Sequence, residues 1–293
     1  MQESVLKGQV TRLNKALAAL RPGQVLKKVG LHADVYHRAN GVSTSRLKVF
    51  IDCPAKYKAM YITGEMEQPS GRQFDLGKAA HCFILEPEKF HAEFVRQPDE
   101  IKIRRGKAWD EFSEANADKV ILTGDDWEGC QRIRSSVERH NFGARLLSGG
   151  KPEVSFFKRD VETGLIVKCR TDYLLGDLIV DVKTTASAHP EEFGRYAKNL
   201  GYPLQDAIYR DVTGLPEFAF LAVEKTAPYV VTAPILFDDE VRRLGFAKYR
   251  KALRELAHAI EFDLFPGYTS DPVVIGLKPW ELSELEALEG KAA

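Results

Sequence analysis

Asp172, Asp181 and Lys183 are residues whose types and spacing could do chemistry together. They lie in two runs rich in β-branched residues, LIVKCRTDYL (165–174) and LIVDVKT (178–184), split by Gly176-Asp177. A two-residue turn with glycine first suits the type II′ geometry of a β-hairpin. Leu175 then faces Leu178, and Asp172 faces Asp181. Side chains alternate along a strand, so Lys183 shares a face with Asp181 while Val180 and Val182 point the other way. Opposed carboxylates would have Cβ atoms roughly 5 Å apart. At an effective dielectric of about 20, unit charges at that distance repel by about 3 kcal/mol. A fold tolerates this when a cation sits between the acids or one acid is protonated. Oxygen ligands of this kind suit Mg²⁺, with Mn²⁺ as substitute, because both ions accept carboxylates, water and phosphate. A lone D-x-K tripeptide would carry no such meaning; the second acid in register on a buried strand gives it one.

The elements that must hold these groups can be read on either side of the hairpin. Residues 1–30 form an amphipathic helical segment, with Val10, Leu13, Leu17 and Leu20 at helical spacing and a break near Pro22-Gly23. Residues 31–293 read as a single domain. A helix starts after Ser43-Thr44-Ser45, whose hydroxyls can cap its amides, and another runs from about Phe74 to Leu85 before Glu86-Pro87. On the latter, His81 follows Gly77 by four residues on one face, and the missing side chain leaves room for a metal or phosphate. A long, partly irregular helical stretch reaches Gly149-Gly150. Strands at 153–158, 165–174 and 178–184 come next, then helices opened by Pro190 and Pro203. Two further strands, FAFLAVEK and YVVTAPILF, precede a charged helix from Asp238 to about Asp263. This order predicts an α+β fold, a central mixed β-sheet flanked by helices.

Composition narrows the setting. Lys and Arg number 42 and so do Asp and Glu, so net charge does not announce a nucleic-acid partner. The distribution is uneven: residues 1–60 hold eleven Lys or Arg against Glu3, Asp34 and Asp52, and the stretch ELSELEALEG (281–290) is acidic. A local basic surface can neutralise phosphates while acidic regions cancel it in the total. No apolar run has the length of a membrane span and no signal-peptide core is visible, so a cytoplasmic protein is expected. Cys53, Cys82, Cys130 and Cys169 are too scattered for a zinc finger or an iron–sulfur cluster.

Asp172 followed by Asp181-Val182-Lys183 resembles the signature of the PD-(D/E)XK nuclease superfamily, with Asp in place of the commoner Glu before the lysine. Gln205-Asp206-Ala207-Ile208-Tyr209 resembles the Q-x-x-x-Y element of its RecB-like and phage exonuclease branches, and residues four apart share a helix face. The segments YHRANGVSTSRLKVFIDCPAKY, LGKAAHCFILEPEKF and TGLIVKCRTDYL narrow the likeness to RecE-type (exonuclease VIII) nucleases. That resemblance implies His81, Asp172 and Asp181 as metal ligands, Lys183 as catalytic lysine and Glu153 as the additional acid, with Gln205 and Tyr209 orienting the site. It implies a Mg²⁺-dependent exodeoxyribonuclease working 5′-to-3′ from double-stranded DNA ends and leaving 3′ single-stranded tails for recombination. It further implies a ring-shaped homo-oligomer, with a tetramer among the sizes allowed, and a single-strand annealing protein as functional partner. Two alternatives are a Cas4- or RecB-like nuclease of single strands or flaps, against which the missing cysteine cluster argues, and a catalytically silent DNA-binding protein of the same fold. The retained acids and lysine argue against silence.

Overall fold

A computed structural model describes residues 3–67 and 72–290; residues 1–2, 68–71 and 291–293, which the sequence-defined segments include, lie outside them. Helix α1 (Glu3–Ala18) leads into strand β1 (Val25–Lys28), then α2 (Ala33–Arg38), α3 (Thr44–Asp52) and α4 (Pro54–Lys58). A helical block follows: α5 (Arg72–Leu85), α6 (Pro87–Glu93), β2 (Phe94–Arg96), α7 (Lys107–Ala115), β3 (Val120–Leu122), α8 (Gly124–Arg139) and α9 (Asn141–Leu146). The chain continues through β4 (Lys151–Arg159), β5 (Ile166–Leu175), β6 (Leu178–Thr185), α10 (Pro190–Asn199) and α11 (Tyr202–Thr213). It ends with β7 (Glu217–Glu224), β8 (Val231–Ile235), α12 (Asp239–Phe262) and α13 (Pro279–Leu288).

Six strands form one mixed sheet in the order β1-β4-β5-β6-β7-β8. Its pairs are antiparallel except β6 with β7. A parallel pair needs a long crossover, which α10 and α11 supply. The expected α+β class and helix-flanked mixed sheet are therefore what the chain adopts. Two features departed from the sequence reading. Residues 25–28, within the stretch read as helical, pair antiparallel with β4 as an edge strand. The irregular part of the block before Gly149 contains β2 and β3, a separate parallel pair of three-residue strands, too short to show a period of two.

Helices cover both faces of the sheet. On one, α3, α11 and α12 bury Leu47, Phe50, Ile208, Val212, Tyr249 and Leu253 against Phe156, Ile179 and Phe220. On the other, α5 and α8 bury Ala79, Ala80, Phe83, Ile133 and Val137 against Val180, Val182, Leu221 and Val223. Ile179 and Val180 thus feed opposite cores, as strand alternation requires. Among the described residues no helix is long and apolar enough to cross a membrane, and all four cysteines are free thiols.

Asp160, at the turn from β4 to β5, ties that hairpin to α12. It accepts from Arg250 Nη1 at 2.6 Å and Nη2 at 3.1 Å, and from Thr163 N at 2.8 Å and Oγ1 at 2.7 Å. Burial works against its charge, but Arg250 and Thr163 prevail and hold the carboxyl down at about 2. Asp160→Ala should cost about 2–3 kcal/mol in urea unfolding at pH 7, because Arg250 loses its main buried partner. A depressed carboxyl contributes stability above its unfolded pKa of 3.8 and loses it as pH falls through about 2. The difference between variant and wild type should accordingly vanish near the acid end; a constant difference would contradict this origin.

Candidate active site

The central hairpin keeps the expected register. Leu175 pairs with Leu178, Leu174 with Ile179 and Tyr173 with Val180, around a Gly176 at φ +57°. The pairing ends there, one step short of the two acids. Asp172 Oδ2 instead accepts the Val182 backbone N–H at 2.8 Å, so a carboxylate replaces a strand partner where the two strands part. Asp181 and Lys183 continue on β6 against β7, opposite Phe220 and Ala222.

Two helices complete the group. From α5, His81 reaches Asp172 Oδ2 through Nε2 at 2.9 Å and Glu153 Oε1 through Nδ1 at 3.5 Å. A Cβ at Gly77 would make an ordinary contact with Thr184 Oγ1 at 3.9 Å, so α5 passes beside the end of β6 with room for a small side chain there. From α11, Gln205 Nε2 donates to Asp181 Oδ1. Tyr209, one turn on, packs edge-on against Phe218 at 5.7 Å between ring centres. Burial raises its phenol well above its usual value, and both acids add to the effect. Ser43 caps α3, accepting from Arg46 N at 3.4 Å.

Glu153 is fixed by tertiary structure. Its neighbours pair as Pro152 with Tyr173 and Val154 with Thr171, which sets Glu153 opposite Asp172. It adopts φ +54°, a left-handed conformation that disfavours a residue with a Cβ. An ion pair with Arg170 holds it there, and Arg170 is itself anchored by donating to Leu31 O at 2.7 Å.

The site therefore brings together three carboxylates (Glu153, Asp172, Asp181) and three cationic partners (Arg170, His81, Lys183). The repulsion between acids is answered first by the chain's own cations. Burial opposes a charged His81, but Asp172, with Glu153 and Asp181 behind it, raises the imidazole to about 9. Burial likewise opposes ionised Asp172, and His81, Lys183 and the Val182 N–H outweigh it, so its pKa falls. Asp181, 1% exposed, goes the other way: burial raises it to about 6 against the pull of Lys183, helped by the like charge of Asp172. Lys183 loses by burial and gains more from Asp181 and Asp172, so its pKa rises.

Sequence reasoning missed two neighbours. The Lys183 ammonium lies 4.8 Å from the centre of the Tyr202 ring, and Lys48 Nζ lies 5.6 Å from the same ring. Lys48 comes from α3 and donates to Leu200 O at 2.6 Å. Burial, and then the charge of Lys183, lower it to about 8. The signal available was the basic character of α3, which does not say which lysine turns inward.

Among the described residues no three His, Cys, Asp or Glu side chains already stand as a metal cage, and each acid is engaged by a cation. The donor set nonetheless fits a divalent ion: two carboxylates of the kind Mg²⁺ and Mn²⁺ take, with one imidazole, a donor that Mn²⁺ accepts more readily than Mg²⁺. Asp181 Oδ2 is a buried oxygen that touches the Lys183 ammonium but has no aligned hydrogen bond. Were such an ion bound, His81 would have to be neutral to coordinate it.

Comparison with known proteins gives the same architecture. The crystal structure of "Putative exonuclease" from Eubacterium rectale superposes with a TM-score of 0.58 at 14% identity, over 87% of this chain and 99% of that one. At that identity the likeness speaks to the fold. No curated protein matches this sequence. The family description "PDDEXK-like domain of unknown function (DUF3799)" matches residues 43–271, which include His81, Glu153, Asp172, Asp181, Lys183, Gln205 and Tyr209, and the chain belongs to that family.

Proposed function

We propose that this protein is a divalent-metal-dependent exodeoxyribonuclease that degrades double-stranded DNA from its ends, 5′-to-3′, in the manner of RecE-type enzymes. The observation that carries the reading is the meeting of His81, Asp172, Asp181 and Lys183 where β5 and β6 separate. Asp172, Asp181 and His81 would hold Mg²⁺ or Mn²⁺. When bound, such an ion polarises a phosphoryl oxygen and lowers the pKa of its water. Lys183, fixed between Asp181 and the Tyr202 ring, positions the attacking water or offsets charge growing on the phosphate. Gln205 keeps the Asp181 carboxylate in one orientation, and Glu153 orients His81 from its other ring nitrogen. Contacts to phosphate carry no sequence information, so digestion should show little sequence preference.

Purified protein should degrade linear duplex DNA with Mg²⁺ or Mn²⁺ and stop in excess chelator. Covalently closed circles should resist. Undiminished digestion in chelator would refute the metal mechanism, and circles cut as fast as linear DNA would make the enzyme an endonuclease. Formation of a homo-oligomeric ring and cooperation with a single-strand annealing protein belong to the same reading. A monomer in light scattering at micromolar concentration would remove the ring.

A further inference from the structure

We propose that Lys48 is a second phosphate-binding ammonium of the site, gripping the DNA backbone beside Lys183. The inference rests on the nuclease reading above. Lys48 and Lys183 approach the same Tyr202 ring from α3 and β6, at 5.6 and 4.8 Å from its centre. Two ammonium groups against one ring repel each other, and the ring's quadrupole offsets that in part. Asp181, the buried carboxylate nearby, is already taken by Lys183 and Gln205. Among the described residues no carboxylate pairs with Lys48; its hydrogen bond goes to a neutral carbonyl, Leu200 O, at 2.6 Å.

The lysine is also built in. Gly201, at φ +68°, carries the chain from α10 into α11, and a Cβ there would come within 3.0 Å of Lys48 Cε. The backbone closes on the lysine stem, and the ammonium stands beside the ring that Lys183 also approaches. A half-buried cation, hydrogen-bonded to a neutral carbonyl and next to a second cation that holds the nearby Asp181, is arranged to receive an anion. In a nuclease the anion at that place is a phosphate of the bound strand. A compact ammonium with three donors serves a phosphate as a point charge, leaving Lys183 free for the reacting water.

Binding of a linear duplex, followed by fluorescence anisotropy in chelator across a salt series, tests this without hydrolysis. Lys48→Gln keeps an N–H donor while losing the charge, and Lys48→Arg keeps the charge. The Gln variant should bind about ten-fold more weakly, and its log–log salt slope should be shallower by about 0.9, one phosphate's worth. Lys48→Arg should keep the wild-type slope. A Gln variant that melts early yet keeps the wild-type slope would make Lys48 structural and overturn the assignment, with the nuclease reading intact. Wild-type protein that fails to bind duplex DNA at all would overturn the nuclease reading, and this assignment with it.

Discussion

Lys183→Ala and Asp181→Asn are each expected to cut hydrolysis of linear duplex DNA by about 1,000-fold or more, equivalent to about 4 kcal/mol of transition-state stabilisation. Their effects on stability in chelator should differ in sign, and that difference identifies the site. Ionised Asp181 is held against burial and against Asp172, which is why its carboxyl rises to about 6. An acid whose folded pKa lies above its unfolded value of 3.8 stabilises the fold less and less as pH rises from about 4 to 6. Asparagine carries no charge and can still accept from Gln205, so Asp181→Asn should melt level with or above wild type at pH 7. Lys183→Ala removes the cation touching that buried oxygen. It should melt below wild type, because an unpaired buried charge is costly. Thermal melts and a digestion assay on the same preparations check both. An Asp181→Asn protein that digests normally but melts much earlier would make Asp181 a structural residue.

His81→Ala should lower activity by roughly 100-fold or more and weaken Mn²⁺ binding, since the imidazole is the nitrogen donor of the proposed ligand set. Its effect on the metal-free protein has its own sign. His81 lies between Asp172 and Glu153 and is raised to about 9 from an ordinary 6.5. A cation with a raised folded pKa contributes stability in full below its unfolded pKa and loses it as pH climbs through the folded one. In chelator the variant should therefore be about 2–3 kcal/mol less stable than wild type at pH 6, with the gap closing towards and above pH 9. Urea unfolding at several pH values measures this, and metal titration by calorimetry measures the other half. Near wild-type digestion with unchanged metal dependence would remove His81 from the active site. A stability gap independent of pH would mean that packing, not charge, accounts for it.

Much of the catalytic hairpin was legible in the residues. Gly176-Asp177 and the alternation of LIVDVKT determined the turn, the register and the faces of Asp181, Lys183, Val180 and Val182, because a period of two leaves a strand little choice. The spacing of Gln205 and Tyr209 placed both on one helix, and the order of runs determined the α+β class. Tertiary structure decided what local periodicity cannot carry. Whether the strands stay paired at Asp172 depends on the Val182 amide taking a side-chain oxygen instead of a backbone one. The register of Glu153 depends on how the six-residue β4–β5 connection (160–165) sets the pairing and on an arginine two residues from Asp172. The edge role of residues 25–28 appears only once β4 is there to receive them. The inward turn of Lys48 depends on Gly201 and Tyr202, some 150 residues away in sequence. Electrostatics followed the same division. Residue types predicted that two acids would need a cation, and the fold decided which of its own cations, His81, Arg170 and Lys183, would stand beside each carboxylate, because an ion pair depends on distance in space and not along the chain.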